Sequence, residues 1–116
     1  MHAWNDDLPI YRQLADRLVG QLLDGDPPEG DAMPSVRVLA SQYLLNPLTV
    51  GRALQSLVDD GLVESRRGLG MYVKAGARGR LRRSERAHFL KEEWPQIVNR
   101  LRQLGITPEE LKWEDL

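Results

Sequence analysis

The chain has no cysteine among its 116 residues. That absence removes disulfides, thiolate nucleophiles and sulfur-ligated metal sites together, and it fits a reducing, cytoplasmic setting. Histidine is almost as scarce. His2 and His88 lie far apart and show neither metal-ligand spacing nor a neighbouring carboxylate motif. No apolar run approaches the roughly 18 residues of a membrane span, and no charged-then-apolar leader opens the chain, so neither membrane insertion nor secretion is expected. The acid pairs Asp6/Asp7, Asp59/Asp60 and Glu92/Glu93 are sequence neighbours, so on a helix their side chains diverge instead of sharing a proton. Gly68-Leu69-Gly70 lacks the lysine-serine pair and the following helix of a phosphate loop. The sequence therefore supports no enzyme chemistry, and no cofactor or metal is expected.

The charge is ordinary in total and uneven in place. The net value of -1 divides into -5 over residues 1–32, +6 over residues 33–86 and -2 over residues 87–116. Because salt screens an exposed charge over about 10 Å, a basic middle can meet a polyanion although the whole chain is near neutral. A solvated charged face is the plainer reading of the same segment, and charge alone favours it slightly. The length suits one domain with a modest core plus an appended helical piece, and is too short for two full domains.

Paired apolar residues every four positions, Ile10/Tyr11, Leu14/Ala15, Leu18/Val19 and Leu22/Leu23, predict a first helix over Leu8 to Asp24 with Pro9 in its first turn and Gly25 after its end. DGDPPEGDAMP reads as loop. Ser35 is a good cap for a short second helix burying Val36, Leu39, Ala40 and Tyr43. In LLNPLTVGRAL, Asn46 is a preferred cap and Pro47 suits the first helical position, where its missing N–H is no loss. A third helix thus starts there and stops at Gly61. LVES and MYVKA around RRGLG give a hairpin signal. Three helices with a tight second connection, closed by a hairpin, describe a winged helix-turn-helix over 8–75.

GARGRLRRSER, with five arginines and one acid, reads as a linker running into a helix. Ala87, Leu90, Trp94, Ile97, Leu101 and Leu104 then follow at spacings of 3, 4, 3, 4, 3, the pattern of a helix that packs one seam against another. That seam suits a second copy of the chain or the chain's own first helix. Pro95 requires a kink or a fresh start. Thr107, Pro108 and Glu110 repeat the capping logic in the tail. The fold class expected is mainly α with a small β-hairpin, followed over 76–116 by a short helical dimerisation region whose seam is Leu90, Trp94, Ile97, Leu101 and Leu104.

In a helix-turn-helix the start of the third helix meets base edges in the major groove of double-stranded DNA. Here Thr49 can bond a base or phosphate and touch a thymine methyl, Leu48 offers only an apolar contact, and Arg52 can take a guanine or a phosphate. Arg66 and Arg67 beside the glycine-rich tip suit a minor groove. Each has a plainer reading: Thr49 and Arg52 as solvated helix surface, Arg37 as the partner of Asp59 or Asp60. Gly51 costs about 1 kcal/mol relative to alanine, tolerable where something must come close.

LPIYRQLADRL, MPSVRVLA, LNPLTVGRAL and DDGLVESRRGLGMYV, in that order, resemble the DNA-binding domain of the GntR family of bacterial transcription regulators over about residues 8 to 74. LNPLTV, the short C-terminal part and RQLGITPEEL resemble its YtrA-like subfamily. The resemblance implies a homodimeric, operator-binding regulator, usually a repressor, with Arg37, Asn46, Thr49, Arg52, Arg67, Gly68 and Gly70 at DNA-contacting positions. Many members carry arginine where Pro47 and Gly51 stand, so base readout by this helix should be thinner here, leaving more to Arg37, Arg52, the wing and DNA shape. The alternative is a winged-helix protein-interaction module with no DNA target. A metabolite pocket finds little room in 40 C-terminal residues, though one between subunits stays open, and no effector is identified.

Overall fold

The computed structural model describes residues 4–115, so His2 lies outside them. The chain forms two compact units, residues 1–81 and 82–116.

The first unit is built on α1 (Ile10–Leu23), α2 (Val36–Tyr43) and α3 (Pro47–Asp59), followed by β1 (Val63–Arg66) and β2 (Gly70–Val73). Leu14, Leu18 and Leu22 of α1 face Val50, Leu54 and Leu57 of α3, all at most 2% exposed, at the spacing the sequence pattern requires. Leu39, Tyr43, Val63 and Val73 close this core. Each fully buried leucine or valine contributes about 1.5–3 kcal/mol, which is why these local elements hold together at all.

Local chemistry sets the helix ends. Ser35 Oγ accepts from the Val38 N–H at 3.1 Å, and Asn46 Oδ1 accepts from the Leu48 N–H at 2.8 Å, with Pro47 in the first turn of α3. Gly61, at φ +73°, ends α3 by letting the Leu62 N–H reach back to the Leu57 carbonyl at 3.0 Å. Pro9 departs from the expected first-turn position. It precedes the helix in an extended conformation (ψ 142°), and α1 begins at Ile10.

Three further departures have long-range causes. The loop before α2 runs along β2: Gly30 N–H donates to the Val73 carbonyl, Val73 N–H to the Asp31 carbonyl, and Met33 N–H to the Met71 carbonyl at 2.7 Å. Ala32 thereby forms a bridge opposite Tyr72. Trp4, ahead of the expected start at Leu8, packs on the core with its ring 6.1 Å from that of Tyr43. GARGRLRRSER is no linker, because α4 (Ala77–His88) begins inside it. Ala77 and Leu81 are buried in the first unit's core, and three ionic side chains secure the junction. The Glu29 carboxylate accepts from the Arg78 N–H at 3.2 Å in the first turn of α4. Arg78 Nε donates to the Leu23 carbonyl at the end of α1 at 2.8 Å. Arg80 donates to the Gly61 carbonyl, in the turn that ends α3, at 2.7 Å. Cations at helix C-termini and an anion at an N-terminus are the favourable pairing of charge with helix dipole.

In the second unit, α4 passes into a π-helical turn (Phe89–Glu93) and then α5 (Trp94–Leu104). Pro95 accounts for the change of pitch. It has no N–H to donate to Lys91 and its ring would strike that carbonyl in a regular helix, and the chain widens so that Trp94 N–H donates to the Phe89 carbonyl instead. Pro95 therefore sits in the first turn of a fresh helix. Gly105, at φ +69°, ends α5. In the tail, Thr107 N–H donates to Glu110 Oε2 at 2.7 Å, and the cap supports a single 3-10 turn (Pro108–Glu110).

Candidate nucleic-acid interface

The connection between α2 and α3 is Leu44, Leu45 and Asn46, short enough to fix the angle between them. Leu44 accomplishes the reversal in a left-handed conformation (φ 56°, ψ 50°), so that Leu45 N–H reaches the Ala40 carbonyl at 3.0 Å. Among the described residues no other non-glycine has positive φ. With Val50, Ala53, Leu54 and Leu57 turned inward, α3 presents Leu48, Arg52, Gln55 and Asp59 outward.

The expected contact residues fall into distinct environments. Leu48 is 79% exposed and Thr49 half-buried at the start of α3. Asn46 Oδ1 accepts the cap bond, which leaves its amide N–H groups and the second lone pair of that oxygen for a ligand. The Arg52 guanidinium lies over the Tyr11 ring, 4.1 Å from its centroid. It is therefore positioned by α1, not loose on the helix surface. A cation–π contact of this kind at an exposed site is worth about 0.5–1 kcal/mol. Arg37 is exposed on α2 beside Val38 and Ser41 and makes no hydrogen bond or ion pair among the described residues, so the expected alternative of pairing with Asp59 or Asp60 is not realised.

On the wing, β1 and β2 pair antiparallel with Val63 opposite Val73 and Arg66 opposite Gly70. Gly68 (φ +76°) and Gly70 (φ +104°) take backbone conformations that only glycine adopts without strain, which forms the tight Arg67-Gly68-Leu69 tip. The two wing arginines differ. Arg66 is held on the hairpin, donating to Glu64 Oε1 at 3.1 and 3.2 Å and stacking 4.1 Å over the Tyr72 ring. Arg67 stands at the tip with no hydrogen bond or ion pair among the described residues. A shallow groove of about 370 Å³ runs between the wing and the start of α2, bringing Arg67, Gly68 and Gly70 alongside Ser35 and Val36. The start of α2 and the wing tip therefore line one groove, and Arg37 stands outside it.

Sequence reasoning missed Tyr11 and Tyr72, which aim Arg52 and Arg66, because ring-to-guanidinium contacts join residues 41 and 6 positions apart with no periodic signal. It also credited the whole basic segment to a possible polyanion surface, whereas Arg78 and Arg80 point back to carbonyls of their own unit.

In the second unit Leu90, Trp94, Ile97 and Leu104 are 40–55% exposed and Leu101 is partly so. The π-helical turn contains Leu90, whereas Trp94, Ile97, Leu101 and Leu104 keep their helical spacing within α5. That turn brings Phe89 beside Trp94, ring centroids 6.5 Å apart, an i to i+5 pairing that a regular helix does not make.

No helix among the described residues is long and apolar enough to cross a membrane. Residues 10–73 match the family described as "Bacterial regulatory proteins, gntR family". The HTH-type transcriptional repressor YtrA of Bacillus subtilis (strain 168) is 33% identical over 103 residues, 89% of this chain and 78% of that protein. A GntR family transcriptional regulator from Listeria monocytogenes superimposes with a TM-score of 0.70 at 27% identity, covering 92% of each chain. YtrA from Sulfolobus acidocaldarius, a GntR-family transcription factor, does so with a TM-score of 0.58 at 32% identity, covering 74% of this chain and 90% of that one. Sequence and fold agree, and the chain belongs to the GntR family of bacterial regulatory proteins: it is a DNA-binding transcription regulator of the winged helix-turn-helix type, not an enzyme.

Proposed function

We propose that the chain acts as a homodimeric, sequence-specific repressor on a near-palindromic operator in the cytoplasm. Residues 8–75 carry the DNA surface, formed by Arg37, Asn46, Leu48, Thr49, Arg52, Arg66, Arg67, Gly68 and Gly70. Residues 76–116 carry the partner surface, formed by Leu90, Trp94, Ile97, Leu101 and Leu104. The observation that carries this reading is the contrast between the units. The first has a buried apolar core, while among the described residues after Leu81 none is buried and Leu90, Trp94, Ile97 and Leu104 stand exposed. An apolar row of that kind, rimmed by charge, marks an interaction surface. A second copy of the same helices satisfies it with two-fold symmetry, and helix-turn-helix dimers read half-sites about 34 Å apart. The names of the relatives as repressors support the sign of regulation.

Sedimentation of the full chain, together with fluorescence-polarisation titration against duplexes selected from a randomised pool, tests the proposal. A dimer that binds one enriched, two-fold sequence is expected. Ile97→Glu should sediment as a monomer and bind that sequence about 100-fold more weakly, as the linked second half-site is lost. A wild-type monomer, or equal affinity for random duplex at all salt concentrations, would overturn it.

A further inference from the structure

The polar side chains along the outward row of α3 are each partly engaged within the protein. Gln55 Nε2 donates to Asp59 Oδ1 at 3.0 Å, Arg52 rests on Tyr11, and Asn46 Oδ1 is held by the Leu48 N–H. Asparagine recognises adenine by using its oxygen and its amide together, and here one lone pair of that oxygen is taken by the cap. Gly51 has no side chain, and a Cβ placed on it would meet nothing within 4 Å. At the N-terminal end of this row stands Leu48, 79% exposed, in the first turn of the helix. That turn is where a recognition helix approaches base edges. The feature of the major-groove edge that an aliphatic side chain recognises is the thymine 5-methyl group.

We infer that Leu48, with the Thr49 methyl beside it, reads thymine methyl groups, so that half-site recognition by α3 includes an apolar component beside its polar contacts. The inference rests on the operator-binding function proposed above. It names a specificity-determining residue and the chemical group it recognises, and it predicts an operator whose α3-facing positions carry thymine.

Deoxyuridine keeps every hydrogen-bonding atom of thymidine and lacks only the methyl group, which makes it the direct probe. With the full-length protein and the selected duplex, each thymine in turn is replaced by deoxyuridine and the affinity read by fluorescence polarisation. Burying one methyl corresponds to about 0.8 kcal/mol, or about 4-fold in Kd. One or two thymines in each half-site should therefore show about a 4-fold loss, and the symmetric pair about 15-fold. In Leu48→Ala, an exposed substitution on a helix that favours alanine, the same replacement should cost less than 2-fold while the remaining thymines behave as before. An enriched duplex whose affinity is indifferent to every thymine methyl overturns this inference and leaves the operator function standing. So does a methyl effect of the same size in Leu48→Ala. A pool from which nothing is enriched overturns the operator function and this inference with it.

Discussion

Replacing Leu44 by glycine should stabilise the protein although it removes a whole side chain. Leu44 turns the chain between α2 and α3 at φ 56°, ψ 50°, and its side chain is 87% exposed. The left-handed conformation costs an L-residue about 1–2 kcal/mol, from the approach of Cβ to the following carbonyl. Truncating a side chain so exposed forfeits almost no packing. Against the relief stands the greater freedom of glycine in the unfolded chain, about 0.5–1 kcal/mol. The net gain is therefore about 0.5–1 kcal/mol, equivalent to about 3–6 °C in Tm for a unit of this size. The hydrogen bonds that end α2 are main-chain bonds, from the Leu44 and Leu45 N–H groups to the Ala40 carbonyl, and they survive the change. Urea and thermal unfolding followed by far-UV circular dichroism measure it. Leu44→Ala is the control: it keeps the Cβ, hence the strain, and should stay within about 0.5 kcal/mol of the parent. If the alanine variant gains as much as the glycine variant, the backbone conformation is not the source of the cost.

Arg80→Ala should lower the stability of the first unit by about 1 kcal/mol, the value of charged hydrogen bonds to the Gly61 and Ala75 carbonyls discounted for exposure. Arg83→Ala should do nothing measurable, and equal losses in urea titrations would reject the clamp. The Gly76 and Arg78 N–H groups hold the Glu29 carboxyl below its ordinary value of 4.5. Its contribution is present above that pH and is lost as the pH falls below it. Thermal unfolding across the acid range should therefore be less pH-dependent in Glu29→Gln than in the parent, and an identical profile would refute the assignment. On the wing, Arg67→Ala should weaken operator binding and reduce the salt slope by about 1, whereas Arg66→Ala, losing a side chain already engaged by Glu64 and Tyr72, should change the slope less. Titrations at several salt concentrations decide, and the reverse order would show that Arg66 leaves the hairpin on binding.

What could be read in the sequence was what neighbours decide. Ser35 and Asn46 cap their helices because the groups they bond lie two or three residues on, and Pro47 and Gly61 mark boundaries through their own backbone preferences. The inward rows of α1 and α3 follow from a period of 3.6. What escaped was what distant segments decide. The loop around Ala32 has the composition of a coil and is drawn along β2 by main-chain bonds that leave no trace in side-chain pattern. The start of α4 depends on Glu29 and on carbonyls of Leu23 and Gly61, up to 55 residues away. The widened turn before Pro95 was half legible: proline announces that the hydrogen-bond ladder must break, but not that the chain will keep turning at a different pitch. For the interface, residue positions followed from the helix-turn-helix pattern, while the engagement of Arg52 and Arg66 by tyrosines did not.

The open space over Gly51 also bears on how such a regulator diverges. Substitution there meets no neighbouring atom within 4 Å, and almost any residue is a better helix former than glycine, arginine by most of 1 kcal/mol. At most positions a change of DNA preference competes with folding. At this one, acquiring a long polar side chain adds a potential base contact and firms the helix in the same step. A chain carrying glycine here can therefore take up a longer side chain without resistance from its fold.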